Sequence, residues 1–216
     1  MSEVAPRRRG RPKKGATPAT EDRVLAEALH AFAVHGYQGV SVRDLNRVLG
    51  VSHNLLHQRF GSKDGVWHAA VDWGFGGLVA ELARADDTTA APEIRLRTVV
   101  RTFVSFSARN PDLLRVVNGE AGQQSERLDH LLKTFVHPML SLFTPLYLEL
   151  VESGHLREVP AHTLYYLITS GGGATFSHEG MTRQLFGNSP FEPAEIERHA
   201  EAMADLIIEG LRKPAS

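Results

Sequence analysis

An all-α fold follows from three features of the chain. Apolar side chains recur at intervals of three and four residues from Val24 to Leu211. No run alternates apolar and polar residues over the length of a strand. Capping residues, prolines and glycines fall at the ends of the periodic segments. The 216 residues suit one large domain or a small module joined to a larger one. A composition 42% hydrophobic and 23% charged is that of an ordinary globular chain. Cysteine is absent, which excludes a disulfide framework, thiolate catalysis and cysteine-ligated zinc. No run of about 18 apolar residues occurs, so no membrane span is expected. The N-terminus has no apolar segment after its basic residues, so no secretory signal is expected either. The expectation is a cytoplasmic protein.

The elements follow in order. Residues 1–19 are basic, rich in Pro, Gly and Ala and poor in large apolar side chains, and read as a disordered arm. Thr20 stands as an N-cap, with Glu21 and Asp22 in the first turn. Val24, Leu25, Ala28, Leu29 and Phe32 form the inner face of a first helix that Gly36 can end. Ser41-Val42-Arg43-Asp44 starts a short second helix as a capping-box-like signal, with Leu45, Val48 and Leu49 inward. Gly50 turns the chain. Ser52 caps a third helix carrying Leu55, Leu56 and Phe60, and Gly61-Ser62 opens a fourth that runs to about Ala85. Gly74, Gly76 and Gly77 inside that helix imply a bend or a close contact. Pro92 opens a fifth helix, and Asn110-Pro111 ends it and opens a sixth. A long seventh helix, about residues 124–153, should kink at Pro138 and Pro145. Pro160 opens an eighth, with Leu164, Leu167, Ile168 and Gly171 on one face. A ninth begins near Glu192 and carries Ile196, Ala200, Met203, Ile207 and Leu211. The division into domains is an arm at 1–19, a three-helix unit at 20–65 and a larger helical unit at 66–216, about nine helices in all.

The net charge of −1 conceals an asymmetry. Residues 1–19 hold six Lys and Arg against Glu3, residues 20–65 hold five charges of each sign, and the remainder holds 13 basic against 19 acidic residues. A basic arm ahead of an acidic body suits contact with a polyanion through the arm.

A short capped helix, a tight turn and a second short helix make a helix-turn-helix. The core side, from Leu45, Val48, Val51, Leu56 and Phe60, fixes the angle between the two helices. The outer side presents Ser52, His53, Asn54, His57 and Gln58, all able to hydrogen-bond phosphates or base edges and none acidic. Residues 21–67 resemble the DNA-binding domain of the tetracycline-repressor (TetR) family. The matching stretches are Ser41-Val42-Arg43-Asp44-Leu45, Gly50-Val51-Ser52, Leu56, Phe60 and Ser62-Lys63-Asp64. Asn46 and Leu49 stand where the family usually has alanine, His57 where it has tyrosine, and Leu55 where it has a small residue. The resemblance implies that Ser41 and Arg43 meet the DNA backbone. It also implies that Ser52, His53, Asn54 and His57 form the recognition surface and that Lys63 pairs with a phosphate. Solvated side chains without a DNA role are the plain alternative for each.

Arg9-Gly10-Arg11-Pro12, followed by Lys13-Lys14, resembles an AT-hook. Gly10 would let the backbone press into the minor groove, and Arg9 and Arg11 would reach into its negative potential. A nonspecific basic tail is the alternative.

The family resemblance further implies a homodimer through the eighth and ninth helices, binding a palindromic operator in double-stranded DNA. It implies an effector cavity among the fourth to seventh helices, taking a small and partly apolar molecule. The candidate lining is Trp73, Phe103, Phe106, Phe135 and Phe143, with Asn118, His130, Thr134 and His137 as polar handles; ordinary core packing is the alternative for the apolar ones. The expected function is a repressor released from its operator by the ligand. The alternatives are an architectural or ligand-independent DNA-binding protein, or an activator. No cofactor and no metal are expected. His53 and His57 have half of a His-Glu-x-x-His zinc spacing, but Asn54 replaces the glutamate. With no Gly-x-Ser-x-Gly elbow either, an enzyme is not expected.

Deleting residues 1–15 is expected to weaken binding to double-stranded DNA. It should also flatten the salt dependence, by roughly 0.9 in the log–log slope for each phosphate that the arm neutralises. Titrations of the full and shortened chains across a salt series check this, and equal slopes would contradict it.

Overall fold

The structure, a computed structural model, describes residues 20–49 and 53–213, the side chains of residues 53–55 excepted. The described residues form ten helices. They are α1 (Glu21–Gly39), α2 (Val42–Leu49), α3 (His53–Phe60), α4 (Lys63–Ala85), α5 (Pro92–Arg109) and α6 (Pro111–Glu120). Then come α7 (126–152), α8 (161–177), α9 (Glu179–Phe186) and α10 (Pro193–Leu211). The arm, with Arg9 and Arg11, and the turn with Gly50, Val51 and Ser52 lie outside the described residues.

Local signals account for the first four helices. Thr20 precedes α1 in extended backbone, though its hydroxyl makes no cap hydrogen bond, and Val24, Leu25, Ala28, Leu29 and Phe32 are buried. Gly36 takes φ +68°, a conformation that costs a side-chain-bearing residue, and interrupts α1 there. At the start of α2 the Ser41 hydroxyl accepts from the Asp44 N–H at 3.1 Å and donates to the Asp44 carboxylate at 2.5 Å. That hydrogen bond holds the Asp44 carboxyl below the usual range, with help from Arg47.

One inward assignment fails in α2. Val48 is 54% exposed, while Asn46 is buried. At about 100° per residue, Leu45, Leu49 and Asn46 share one arc of the helix and Val48 lies away from it. Leu56 on α3 is 1% exposed and belongs to the buried core. The Ser62 hydroxyl then caps α4 by accepting from the Gly65 N–H at 3.0 Å. Within α4, Gly74 admits Leu113 of α6; a Cβ there would stand 2.7 Å from a Leu113 methyl. Close contact, rather than a bend, accounts for this glycine.

Helix α7 is continuous but changes pitch. Glu126–Leu131 is α-helical, Leu132–Val136 is π-helical, and His137–Glu152 is α-helical again with Pro145 inside it. The wide π-turn ends two residues before Pro138, which lacks the N–H that a regular turn would need. Helix α8 likewise contains a π segment, Leu167–Gly171. In that segment Leu167 is 45% exposed, against the inward position expected for it, while Leu164 and Ile168 are buried.

Helix α9 is an element beyond the nine expected. Its Met181, Leu185 and Phe186 are spaced for a helix, yet no residue of α9 is buried, so no inner face announced it. Helix α10 packs along α5, burying Ala200, Met203, Ala204, Ile207, Ile208 and Leu211. Buried residues from Val24 to Leu211 form one cluster. The division drawn between residues 65 and 66 therefore falls inside the first turn of α4.

Gly65 tests this packing. A Cβ on it would lie 2.0 Å from the Phe60 carbonyl oxygen, a backbone atom that cannot rotate away. Gly65→Ala should lower unfolding stability by roughly 1–3 kcal/mol. Urea denaturation should show a lower midpoint with an unchanged m-value.

Candidate nucleic-acid interface and effector cavity

The outer surface of α2 and α3 carries the polar side chains singled out from the sequence. Ser41 and Arg43 at the start of α2 are exposed, and the Ser41 hydroxyl is already engaged in capping. His57 and Gln58 on α3 are exposed. Arg59 beside them pairs with Glu21 of α1. The side chains of His53 and Asn54 lie outside the described residues, as does Ser52.

Lys63 sits differently from its sequence expectation. Its ammonium is partly buried and donates to the Tyr37 carbonyl at 2.8 Å and the Val40 carbonyl at 2.9 Å. It also lies 4.1 Å from the centre of the Tyr37 ring. Two of its three donors therefore hold the segment after the Gly36 break against α4, instead of facing outward to a phosphate. The break leaves carbonyls at the end of α1 outside the regular helical ladder, and Lys63 satisfies them.

Further contacts join this unit to the rest of the molecule. The Arg127 guanidinium lies 3.7 Å over the Tyr37 ring and pairs with Glu120 at 3.0 Å, both charged groups being largely buried. Trp67 is 1% exposed beneath them. The Trp73 indole N–H donates to Asp22 at 3.1 Å. His130 contacts Asp72 at 2.6 Å, and its ring meets that of His68 edge-on at 4.5 Å. Asn46 is buried with neither polar side-chain atom hydrogen-bonded among the described residues.

At the far end of α4 an apolar cavity opens between α4, α5, α7 and α8. Its walls include Leu82, Val99, Phe103, Phe143, Leu146 and Ile168, and it encloses about 70 Å³. A second cavity of about 460 Å³ adjoins it between α7 and the start of α8. The two share Leu140, Phe143 and Tyr165. Burial raises the Tyr165 phenol above its ordinary pKa.

Of the sequence candidates, Phe103 and Phe143 stand on the cavity wall. Phe135 instead stacks on Phe75 in the core at 4.6 Å, and Phe106 is buried against Gly77. Trp73 and His130 belong to the contacts just described. Asn118, Thr134 and His137 are exposed. Sequence reasoning missed Leu140, Tyr165 and Thr169. Met139, Leu142, Phe143 and Leu146 recur at helical spacing in the sequence, but that period is also that of ordinary core.

Comparison with known proteins gives consistent matches. Residues 24–70 match the family described as "Bacterial regulatory proteins, tetR family". Residues 92–207 match "Tetracyclin repressor-like, C-terminal domain". Among solved structures, the TetR-family regulator PfmR of Thermus thermophilus is 26% identical with a TM-score of 0.65, over 91% of this chain and 100% of that one. A tetR-family regulatory protein of Rhodococcus RHA1 has a TM-score of 0.72 at 18% identity, over 91% and 100%. FadR of Bacillus subtilis, solved with stearoyl-CoA, has a TM-score of 0.66 at 16% identity, over 88% and 98%. The last two likenesses establish the fold alone. The nucleoid occlusion factor SlmA of Vibrio campbellii is 28% identical over 52% of this chain and 58% of that protein. The chain thus spans little more than half the length of the curated relative.

Lys63→Met retains the aliphatic stem and removes both hydrogen bonds to carbonyls. It should destabilise the fold by about 1.5–3 kcal/mol, the range for hydrogen bonds involving a charged group. Thermal or urea unfolding checks this, and an unchanged stability would show that the ammonium is free for other partners.

Proposed function

Because the chain belongs to the tetracycline-repressor family of bacterial DNA-binding transcriptional regulators, we propose that it is a homodimeric repressor released from its operator by a small apolar molecule. One observation carries the reading. The outward polar surface of α2 and α3 stands at one end of α4, and the apolar cavity stands at the other. Helix α4 has 23 residues, a span of about 34 Å. A ligand wedged among Leu82, Phe103 and Phe143 would push one end of a rigid rod whose other end carries the DNA-reading unit.

In this reading Ser52, His53, Asn54 and His57 face the major groove, and Ser41 and Arg43 meet phosphates. Arg9 and Arg11 of the arm enter the adjacent minor groove. Lys63 contributes by holding the end of α1 in place. The dimer forms through α8 and α10. Tyr166 is 61% and Leu206 is 69% exposed on those helices, an apolar exposure suited to a partner copy. Met181, Leu185 and Phe186 of α9 are exposed as well. Two reading helices separated by roughly one DNA turn, 34–36 Å, fit adjacent half-sites, so a shift of several ångströms at α4 costs binding. The ligand acts only if it binds the spread state better than the DNA-competent one. FadR of Bacillus subtilis, solved with stearoyl-CoA, supports an effector with a long apolar chain in this fold, its own ligand adding an anionic CoA group.

Footprinting on DNA flanking the protein's own gene, repeated with candidate apolar metabolites, tests the proposal. A protected palindrome that disappears on addition of a ligand is the expected result. Protection that no ligand relieves would favour ligand-independent DNA binding instead. Arg43→Ala should weaken operator binding and lower the salt slope by roughly 0.9, leaving unfolding stability unchanged.

A further inference from the structure

The walls of the two adjoining cavities select against a negative charge. Their shared residues Leu140, Phe143 and Tyr165 make one continuous apolar surface from α4 out to the gap between α7 and α8. Among the described residues that line it, the charged side chains are Asp86 in the inner cavity and Glu158 in the outer one. No lysine, arginine or histidine joins them there.

The nearest candidate cation is already committed. Arg95 donates through Nε to one Asp86 oxygen at 2.8 Å and through a terminal nitrogen to the other at 2.9 Å. Both side chains are mostly buried, and Glu149 adds a second negative charge near the guanidinium. Arg95 therefore neutralises Asp86 and has no net positive charge to offer a ligand. The remaining polar groups on the walls are neutral hydroxyls, including those of Tyr165, Thr169 and Thr144. A carboxylate or phosphate entering here would lose its hydration and gain no opposite charge. Glu158 at the exposed outer end would repel it further.

We propose that the cavity takes an apolar ligand bearing no negative charge, and that a cationic end, where the ligand has one, lies at Glu158. The proposal rests on the effector reading of the same cavity. The aromatic walls at Phe143, Tyr147 and Tyr165 suit such an end, because ring faces attract cations.

Three probes with the same alkyl tail test it on the full chain: decanol, decyltrimethylammonium and decanoate, each kept below its micellar threshold. Binding is measured by calorimetry and by the shift in Tm. Decanol and decyltrimethylammonium should bind and raise Tm, with decanoate weaker by about tenfold or more. Glu158→Gln should weaken the ammonium probe several-fold and leave decanol unchanged. Leu140→Trp, which fills the shared wall, should diminish binding of all the probes. Decanoate binding as tightly as decanol would overturn the charge rule while leaving an apolar effector site intact. Failure of all three to bind would overturn the cavity as an effector site and the charge rule with it. Ammonium binding indifferent to Glu158→Gln would overturn the placement of the cationic end, and binding indifferent to Leu140→Trp would overturn the location.

Discussion

Gly36 interrupts α1, and beyond the break the Tyr37 and Val40 carbonyls turn to the ammonium of Lys63. That contact, at the first residue of α4, couples the end of α1 to the helix that crosses the molecule. The Ser62 cap and the fit of Gly65 against the Phe60 carbonyl fix the same turn from the other side. Arg127 over the Tyr37 ring ties α7 to it, with its charge balanced by Glu120. A buried guanidinium without that carboxylate would be costly, so the pair is held as a unit. The orientation of α2 and α3 relative to the rest depends on this junction.

The charge distribution acquires a physical meaning in the fold. Basic residues of the body are drawn into pairs with its acidic excess. Arg97 meets Glu201 and Asp205, Arg101 meets Glu197 and Glu201, and Arg212 meets Glu93 and Glu209. Such partly exposed pairs contribute little stability each. Here they join α10 to α5 over the buried seam of Ile207, Ile208 and Leu211. In the reading unit Arg47 and Arg59 are likewise paired, with Asp44 and Glu21. With Lys63, three of its five basic side chains are thus engaged within the fold.

The cavity and the core are built from the same residue types at the same spacing. Phe135 and Phe143 both sit on the inner side of the seventh helix. Phe135 lies within the π-turn at Leu132–Val136, and Phe143 lies about two turns beyond it. Phe135 stacks in the core on Phe75, and Phe143 faces the cavity. The composition of the chain does not reveal that π-turn. The same limit applied to α9, whose Met181, Leu185 and Phe186 are left exposed among the described residues.

Periodicity, capping residues and proline placement determined the helical class, the first six helices and the reading unit, because each of those signals acts within a few residues. The Ser41–Asp44 cap, the break at Gly36 and the start at Ser62 are local physics, and they were legible as such. Tertiary structure alone decided three matters: that Asn46 and not Val48 turns inward, that Lys63 serves the end of α1, and that the cavity lies at Phe103 and Phe143 and not at Trp73 or His130. Each depends on which helices meet, and contacts between residues distant in sequence leave no mark on local spacing.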